Sequence, residues 1–170
     1  MPEQQNPLIL TLRLDAESQL YFDDLRNRYF PPERNFLKAH LTLFHQLPNF
    51  SETREFLDSL MIEPFGLSVN GLRHLGAGVA FTIASDELEK LHRKLRHNFA
   101  DVLIPQDKQP FRPHITIQNK VTPEASKKLL LILNNSFEPF TVQATGLDLW
   151  EYLGGPWRHS FGLAFKNSFL

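Results

Sequence analysis

The segment His40–Leu43, which reads HLTL, occurs a second time as HITI at His114–Ile117. Alternate residues of a β-strand point to the same face of a sheet, so the histidine and threonine of each copy share one face. The two aliphatic residues of each copy share the other face. This alternation predicts two half-buried strands, each packing its aliphatic side on the core and turning its polar side toward a common cleft.

The repetition continues downstream of both strands at an almost constant offset. Each copy is followed by a segment of helical character, Ser51–Leu60 or Thr122–Leu131, whose first residue is able to cap a helix. A Glu-Pro-Phe sequence and then a Gly-Leu pair recur in both halves, at Glu63 and Glu138 and at Gly71 and Gly146. We infer an internal repeat that spans approximately residues 1–76 and 77–170.

The residues upstream of each copy predict a strand followed by a helix. Leu8–Leu14 precedes the amphipathic stretch Ala16–Phe30, and Val79–Ile83 precedes Ser85–Val102, in which Ser85 is the expected N-cap. Glycine-rich turns predict further strand pairs within 65–84 and 141–166. We therefore expect one α+β domain over 1–170, with two pseudo-symmetric lobes of antiparallel sheet, helices outside and a central cleft.

The composition is that of an ordinary globular domain, and it excludes several classes of function. Of the 170 residues, 42% are hydrophobic and 22% are charged, which is too apolar for a disordered chain. The absence of cysteine excludes a disulfide framework, a thiolate nucleophile and a cysteine-based metal site. A formal net charge of −1 argues against binding long nucleic acids, although a few local donors suffice for one phosphate.

No part of the sequence predicts a secretion signal or a membrane span. Met1–Leu10 lacks the basic region and the apolar run of a signal peptide. The longest apolar run, Leu129–Leu133, is far shorter than the roughly 20 residues that a membrane span requires. We expect a soluble, cytoplasmic protein that acts as a monomer.

Two histidines and two threonines facing one cleft are suited to phosphate chemistry. Because histidine titrates near neutral pH, one imidazole can accept a proton while the other donates one. The hydroxyls of Thr42 and Thr116 can donate hydrogen bonds to phosphate oxygens. The pattern indicates attack on a cyclic phosphodiester with no metal and no other cofactor, since the sequence offers no carboxylate cluster to hold a metal.

The paired motifs, the Arg-Pro dipeptide before His114 and the segment Leu149–Trp157 resemble the 2H phosphoesterase superfamily. The resemblance covers nearly the whole chain and is strongest to the branch of 2′-5′ RNA ligases and RNA 2′,3′-cyclic phosphodiesterases. It implies a bilobal α+β fold and an enzyme that acts on 2′,3′-cyclic or 2′,5′-linked phosphates without metal or ATP. The roles that it implies are acid and base for His40 and His114, with His114 favoured as the base, and phosphate ligation for Thr42 and Thr116.

Four further residues are candidates for substrate binding. Lys38 and Arg112 each stand two residues before a motif histidine, where a cation could offset phosphate charge. Phe44 and Tyr152 could stack on a base or ribose, as could Trp157, and Tyr152 is favoured because its hydroxyl needs a partner.

The other five histidines receive no functional role from the sequence. His45 is expected on the face of its strand opposite the motif, unless a bulge intervenes. His92 and His97 are expected on the solvent side of their helix. His74 and His159 have no recognisable pattern around them.

Three alternatives to an RNA-end phosphodiesterase stay open. The first is a cyclic phosphodiesterase for small nucleotides such as ADP-ribose cyclic phosphate or 2′,5′-oligoadenylate. The second is a non-catalytic module that binds nucleotides or RNA ends. The third is a two-histidine, metal-dependent hydrolase, which would require carboxylates near the cleft.

Overall fold

A computed structural model describes residues 5–168, which form four α-helices and seven β-strands. The helices are α1 (Ala16–Tyr29), α2 (Ser51–Asp58), α3 (Asp86–Asn98) and α4 (Pro123–Ser136). The strands are β1 (Leu8–Leu14), β2 (Leu41–Leu47), β3 (Phe65–His74), β4 (Val79–Ala84), β5 (His114–Gln118), β6 (Phe140–Tyr152) and β7 (Trp157–Ala164). The predicted α+β class is confirmed. Within 5–168, no helix has the length and apolar character needed to cross a membrane.

The seven strands form one antiparallel sheet around the long strand β6. Six strands follow the order β2-β1-β6-β3-β4-β5, and β7 pairs with β6 outside this path. The first part of β6 pairs with β3, through Phe140 to Ala144, and its later part pairs with β7, through Gly146 to Tyr152. Since β1 occupies the other edge of β6, β3 and β7 lie end to end along one side of it.

The third strand of each half of the sequence pairs with the first strand of the other half. In the first half, β1 pairs with β2, but its other neighbour is β6 from the second half. In the second half, β4 pairs with β5, and its other neighbour is β3 from the first half. The two lobes of the sheet are therefore β2-β1-β6 and β5-β4-β3, and neither is made from one half of the sequence alone.

The sheet curls into a half-barrel, which brings together the two end strands of the six-strand path. These end strands are β2 and β5, the strands that carry the two repeated motifs, and they contact each other. Because both are edge strands, one long side of each is free of strand partners. The curl therefore turns two equivalent motifs toward one another across a cleft.

The helix starts follow the predicted capping pattern in two of three cases. The side chain of Ser85 accepts a hydrogen bond from the backbone N of Leu88 at 3.2 Å. The side chain of Thr122 accepts one from the backbone N of Ala125 at the same distance. These predictions are confirmed. The predicted cap at Ser51 is wrong, because Ser51 is already helical and Phe50 stands at the cap position without a side-chain bond.

The helix ends differ from the predicted bounds. The stretch predicted as one helix over 85–102 ends its α-helix at Asn98 and continues as a separate 3-10 turn, Ala100–Val102. In the other direction, α4 extends beyond Leu131 to Ser136. The apolar stripe of α3 is buried as its spacing predicts, with its members in the main core: Leu88, Leu91, Leu95 and Phe99.

The turn between β3 and β4 lies close beneath β5 and needs glycine for that reason. Gly78 precedes β4, which pairs with the end of β5 at Val79 and Gln118. A Cβ atom at Gly78 would stand 1.8 Å from the carbonyl oxygen of Gln118. That distance is far inside van der Waals contact, so any larger residue must push β5 away from β4.

We predict that Gly78→Ala destabilises the protein by about 3 kcal/mol, because the added methyl group overpacks against the backbone of β5. The measurement is the free energy of unfolding from urea denaturation. The matched control is Gly155→Ala, where an added Cβ meets no atom within 4 Å, and it should change stability by less than about 0.5 kcal/mol. Equal effects of the two substitutions would contradict the close approach of β5.

Candidate active site

The two repeated motifs line a single cleft of about 370 Å³. His40 and Thr42 lie on the β2 side of this cleft, and His114 and Thr116 lie on the β5 side. The structure thus brings together all four side chains that the sequence placed in one site. Their catalytic roles stay predictions at this point.

Both motif histidines make the same backbone hydrogen bond. The Nδ1–H of His40 donates to the carbonyl oxygen of Lys38, and that of His114 donates to the carbonyl oxygen of Arg112, each at 2.8 Å. A carbonyl oxygen can only accept, so these bonds fix Nδ1 as the protonated nitrogen of each neutral ring. Nε2 is left as the nitrogen that can exchange a proton with a bound molecule.

The proton affinity of His40 is low in this setting. Burial lowers its pKa from 6.5 to about 4, which outweighs the bond to Lys38, and the charges of Arg26, His114 and His45 lower it further. The ring also packs against Trp157, with the ring centroids 4.6 Å apart. His40 is therefore neutral at physiological pH and presents a lone pair at Nε2.

A buried arginine supports the second motif from behind. Arg26 of α1 donates from Nη1 to the carbonyl oxygen of Thr116 at 3.2 Å and from Nε to Asn35 at 2.8 Å. Its guanidinium lies 4.0 Å from the centroid of the Phe30 ring. Burial lowers the pKa of Arg26 to about 10, and the charge of Asp23 opposes that shift. Sequence reasoning missed Arg26, because a charge within an amphipathic helix reads as a solvent-facing residue.

A third histidine, His45, also lines the cleft. The register of β2 against β1 advances by three residues from Phe44 to Leu47, while β1 advances by two from Leu10 to Leu8. This extra residue puts His45 and Gln46 on the same side. An earlier slip, between Thr42 and Phe44, had already turned His45 to the face of Thr42, because it leaves Leu43 and Phe44 both buried. The sequence analysis expected His45 on the opposite face unless a bulge intervened, and no feature of the sequence predicts that bulge.

The carboxylate of Asp107 holds His45 in place. It accepts hydrogen bonds from the backbone N of His45 at 2.9 Å, from its Nδ1–H at 2.8 Å and from the backbone N of Gln46 at 3.0 Å. Burial acts to raise the pKa of Asp107, but the bonds from His45 and Gln46 hold it below the ordinary value of 3.8. The ring of His45 thus points Nδ1 at Asp107 and keeps Nε2 for the cleft.

Two arginines line the cleft, of which the sequence singled out one. Arg112 lines it as expected, whereas Arg73 of β3 was missed. Arg73 pairs with Ala80 of β4, which pairs in turn with Thr116, so the three residues form one row across the sheet. Among residues 5–168 neither arginine forms a salt bridge. Lys38 does not line this cleft but an adjacent cavity of about 430 Å³.

The aromatic candidates are placed differently from one another. Phe44 is 0% exposed, so it belongs to the core and cannot stack on a ligand there. The pairing of β2 with β1 slips by one residue between Thr42 and Phe44, and this slip turns Phe44 inward. Tyr152 is exposed at the end of β6 and does not line the cleft. Trp157 lines both the cleft and the adjacent cavity, and so forms a wall between them.

The prediction that His92 faces solvent is wrong. Its ring is sandwiched between Phe44 and Phe111, with centroid distances of 4.7 and 3.8 Å, and it is buried. Its Nε2–H donates to the carbonyl oxygen of Leu43 at 3.2 Å. His97 is exposed as predicted. In the described part of the chain, no three histidine, aspartate or glutamate side chains are grouped so that they could hold a metal ion.

Comparison with known proteins gives one family and several structures of the same fold. The model of the 2′-5′ RNA ligase superfamily matches residues 14–156. No curated protein matches the sequence significantly. TT0787 of Thermus thermophilus is 16% identical over 95% of this chain and 99% of its own, with a TM-score of 0.66. LigT of E. coli in complex with 3′-AMP is 18% identical over 96% and 99%, with a TM-score of 0.59.

We predict that His40 makes the stability of the protein depend on pH between about 4 and 6.5. In this window the unfolded chain binds a proton at His40 that the folded protein does not, so the free energy of unfolding rises with pH. The measurement is urea denaturation across pH 4–7, with the difference between wild type and His40→Asn isolating this group. His97→Asn is the control, and a variant His40→Asn that keeps the wild-type slope would contradict the prediction.

Proposed function

The chain belongs to the 2′-5′ RNA ligase superfamily, and from this membership we propose that it is a phosphodiesterase that needs no metal. Its substrates are 2′,3′-cyclic phosphates at RNA ends, which it hydrolyses, or 2′,5′ linkages, on which it acts reversibly. The observation that carries the proposal is the equivalence of His40 and His114. Each lines the same cleft and is fixed by its Nδ1–H on the carbonyl two residues earlier, with Nε2 free for proton transfer.

The lowered pKa of His40 supports its role as the general base. In the reaction, Nε2 of His40 takes a proton from water as the water oxygen bonds to phosphorus, opposite the departing ribose oxygen. His114 in its protonated form gives its Nε2 proton to that oxygen as the P–O bond breaks. The product is a ribose 2′-phosphate with a free 3′-hydroxyl. This assignment is the reverse of the one that the resemblance favoured.

The threonines and the nearby cations would carry the charge of the phosphate. The hydroxyls of Thr42 and Thr116 face the cleft from opposite edges of the sheet, where each can donate to a non-bridging oxygen. Donors held by two β-strands need little reorganisation as negative charge develops on those oxygens. Arg26 holds the backbone of Thr116 by its hydrogen bond to the carbonyl oxygen.

The cavity beyond Trp157 is the place for the nucleoside part of the substrate. It is about 430 Å³ in volume, shares His40 and Trp157 with the cleft, and includes Phe36, Lys38 and Trp150 in its lining. Aromatic side chains of this kind stack on bases of single-stranded nucleic acid. The structures of E. coli LigT with 3′-AMP, NADP⁺ and ATP support a nucleotide as ligand.

We predict that His40→Gln and His114→Gln each lower kcat on 2′,3′-cyclic AMP by about 100- to 10,000-fold, because each removes one proton-transfer group. Thr42→Val and Thr116→Val should each lower kcat/KM by about 10-fold, and Thr→Ser should restore it by returning the hydroxyl. The assay follows release of 2′-AMP with EDTA present. His97→Gln is the matched control on the exposed side of α3. Full activity of either motif variant would refute the proposal.

We predict a bell-shaped dependence of kcat/KM on pH, since one imidazole must be neutral and the other protonated. With His40 as the base, the acid limb should fall near pH 4, because kcat/KM reports the groups of the free enzyme. The profile is measured from pH 3.5 to 9 with 2′,3′-cyclic AMP. An acid limb above pH 6 would contradict the lowered pKa of His40, and a flat profile would exclude the acid–base pair.

A further inference from the structure

We propose that the cleft contains a second anion subsite, formed by His45, Arg73 and Arg112, which binds a second phosphate group of the substrate. The inference rests on the proposed function, because it assumes that the scissile phosphate occupies the two motifs. It adds to that function a requirement on the substrate. The preferred substrate carries one phosphate besides the one that reacts.

The cleft has more groups able to bind an anion than one phosphodiester can use. The scissile group has two non-bridging oxygens, and the two motifs already supply two hydroxyls and two imidazoles for it. His45, Arg73 and Arg112 line the same cleft in addition. The lining contains one carboxylate among the residues described, that of Asp107, and its oxygens are engaged by His45 and Gln46. Positive charge in the cleft is therefore left without a protein counter-charge.

Arg73 is the clearest sign of a missing anion. It is only partly exposed, and its guanidinium has neither a salt bridge nor a side-chain hydrogen bond to any part of the chain between 5 and 168. A guanidinium carries five N–H donors, and those of Arg73 make no bond within 5–168, so they are available to an anion in the cleft. Its row on the sheet leads through Ala80 to Thr116, so an anion bound there lies beside the second motif. Arg112 approaches the same region two residues before His114.

His45 is held as a donor that points into the cleft. The side chain of Asp107 is only 1% exposed and that of His45 is 47% exposed, so the pair has a buried anchor and an accessible ring edge. In its protonated form the ring donates from both nitrogens, Nδ1–H to Asp107 and Nε2–H to the cleft. The buried carboxylate of Asp107 accepts hydrogen bonds from three N–H groups of His45 and Gln46. An exposed histidine does not need so many bonds merely to pack against the protein. The arrangement fits a side chain that must keep one orientation.

Two sources of a second phosphate share this chemistry. One is a phosphomonoester on the same nucleoside, as in a nucleotide with a 5′-phosphate. The other is the phosphodiester that joins the terminal nucleotide to the rest of an RNA chain. A small nucleotide substrate would offer the first, and an RNA end would offer the second.

The test is calorimetric binding of three product-like ligands to the intact protein. The ligands are adenosine 2′-phosphate, adenosine 2′,5′-bisphosphate and a dinucleotide. The dinucleotide is two adenosines joined by a phosphodiester, with a 2′-phosphate on the 3′-terminal ribose. We expect the second or third ligand to bind at least about 10-fold tighter than the first, as one charge-assisted contact provides. Tighter binding of the bisphosphate identifies a nucleotide phosphate, and tighter binding of the dinucleotide identifies a chain phosphate.

Variants then connect the preference with the subsite. Arg73→Gln and His45→Asn should each reduce the preference for the ligand with two phosphates over adenosine 2′-phosphate to about 3-fold or less. Asparagine is chosen at position 45 because its side-chain amide can still donate to Asp107. Arg93→Gln removes the same charge from the exposed face of α3 and should keep the full preference. Because the three ligands share the motif site, a general loss of structure would weaken all of them and leave their ratio unchanged.

Two results would overturn the subsite: equal binding of all three ligands, including no binding of any, or a preference that survives both Arg73→Gln and His45→Asn. Turnover of 2′,3′-cyclic AMP, measured on the same samples, separates this inference from the proposed function. Turnover without a preference for the second phosphate rejects the subsite alone. A preference without turnover supports the subsite as a binding feature and rejects the catalytic proposal.

Discussion

The backbone pairing of β3 with β6 is the interaction on which the rest of the structure depends. It runs from Phe65 opposite Ala144 to Val69 opposite Phe140, and it is where the lobe β2-β1-β6 meets the lobe β5-β4-β3. Because each lobe takes a strand from the other half of the sequence, this pairing also fixes the relative position of the two edge strands. The cleft exists only because both edges curl toward the same side of this junction. Its geometry is thus set by main-chain hydrogen bonds far from any of the groups that would touch a ligand.

The parts of the site that sequence reasoning found are those governed by local periodicity. The alternation in HLTL and HITI placed His40, Thr42, His114 and Thr116 on one polar face, and the structure puts all four in one cleft. The caps at Ser85 and Thr122 depend only on neighbouring residues, so they were also predictable. Lys38 and Arg112 were singled out for their side chains, whereas the contact that each makes with its motif histidine comes from its carbonyl oxygen.

The parts that sequence reasoning missed depend on irregular pairing or on contacts between distant segments. One register slip in β2, between Thr42 and Phe44, buries Phe44, which sequence reasoning had offered as a stacking surface, and turns His45 toward the cleft. Asp107 lies in a 3-10 turn far along the chain from the histidine that it holds, and Arg73 reaches the site along the row of the sheet that it shares with Thr116. No local pattern encodes such contacts, because a strand's alternation holds only until its register slips.

The exchange of third strands between the halves has a consequence for how the chain acquires its structure. In the first lobe, β1 near the start of the chain pairs with β6 near its end, from Leu8 opposite Glu151 to Leu14 opposite Ala144. Contacts of such sequence separation slow folding, since the entropy of closing a long loop is lost before the contact forms. During synthesis, the lobe β2-β1-β6 cannot be completed while β6 is still inside the ribosome, although β1 and β2 have long emerged. The unpaired edge of β1 is therefore exposed for most of translation, and this stage is the one at which the chain most needs protection from association with other strands.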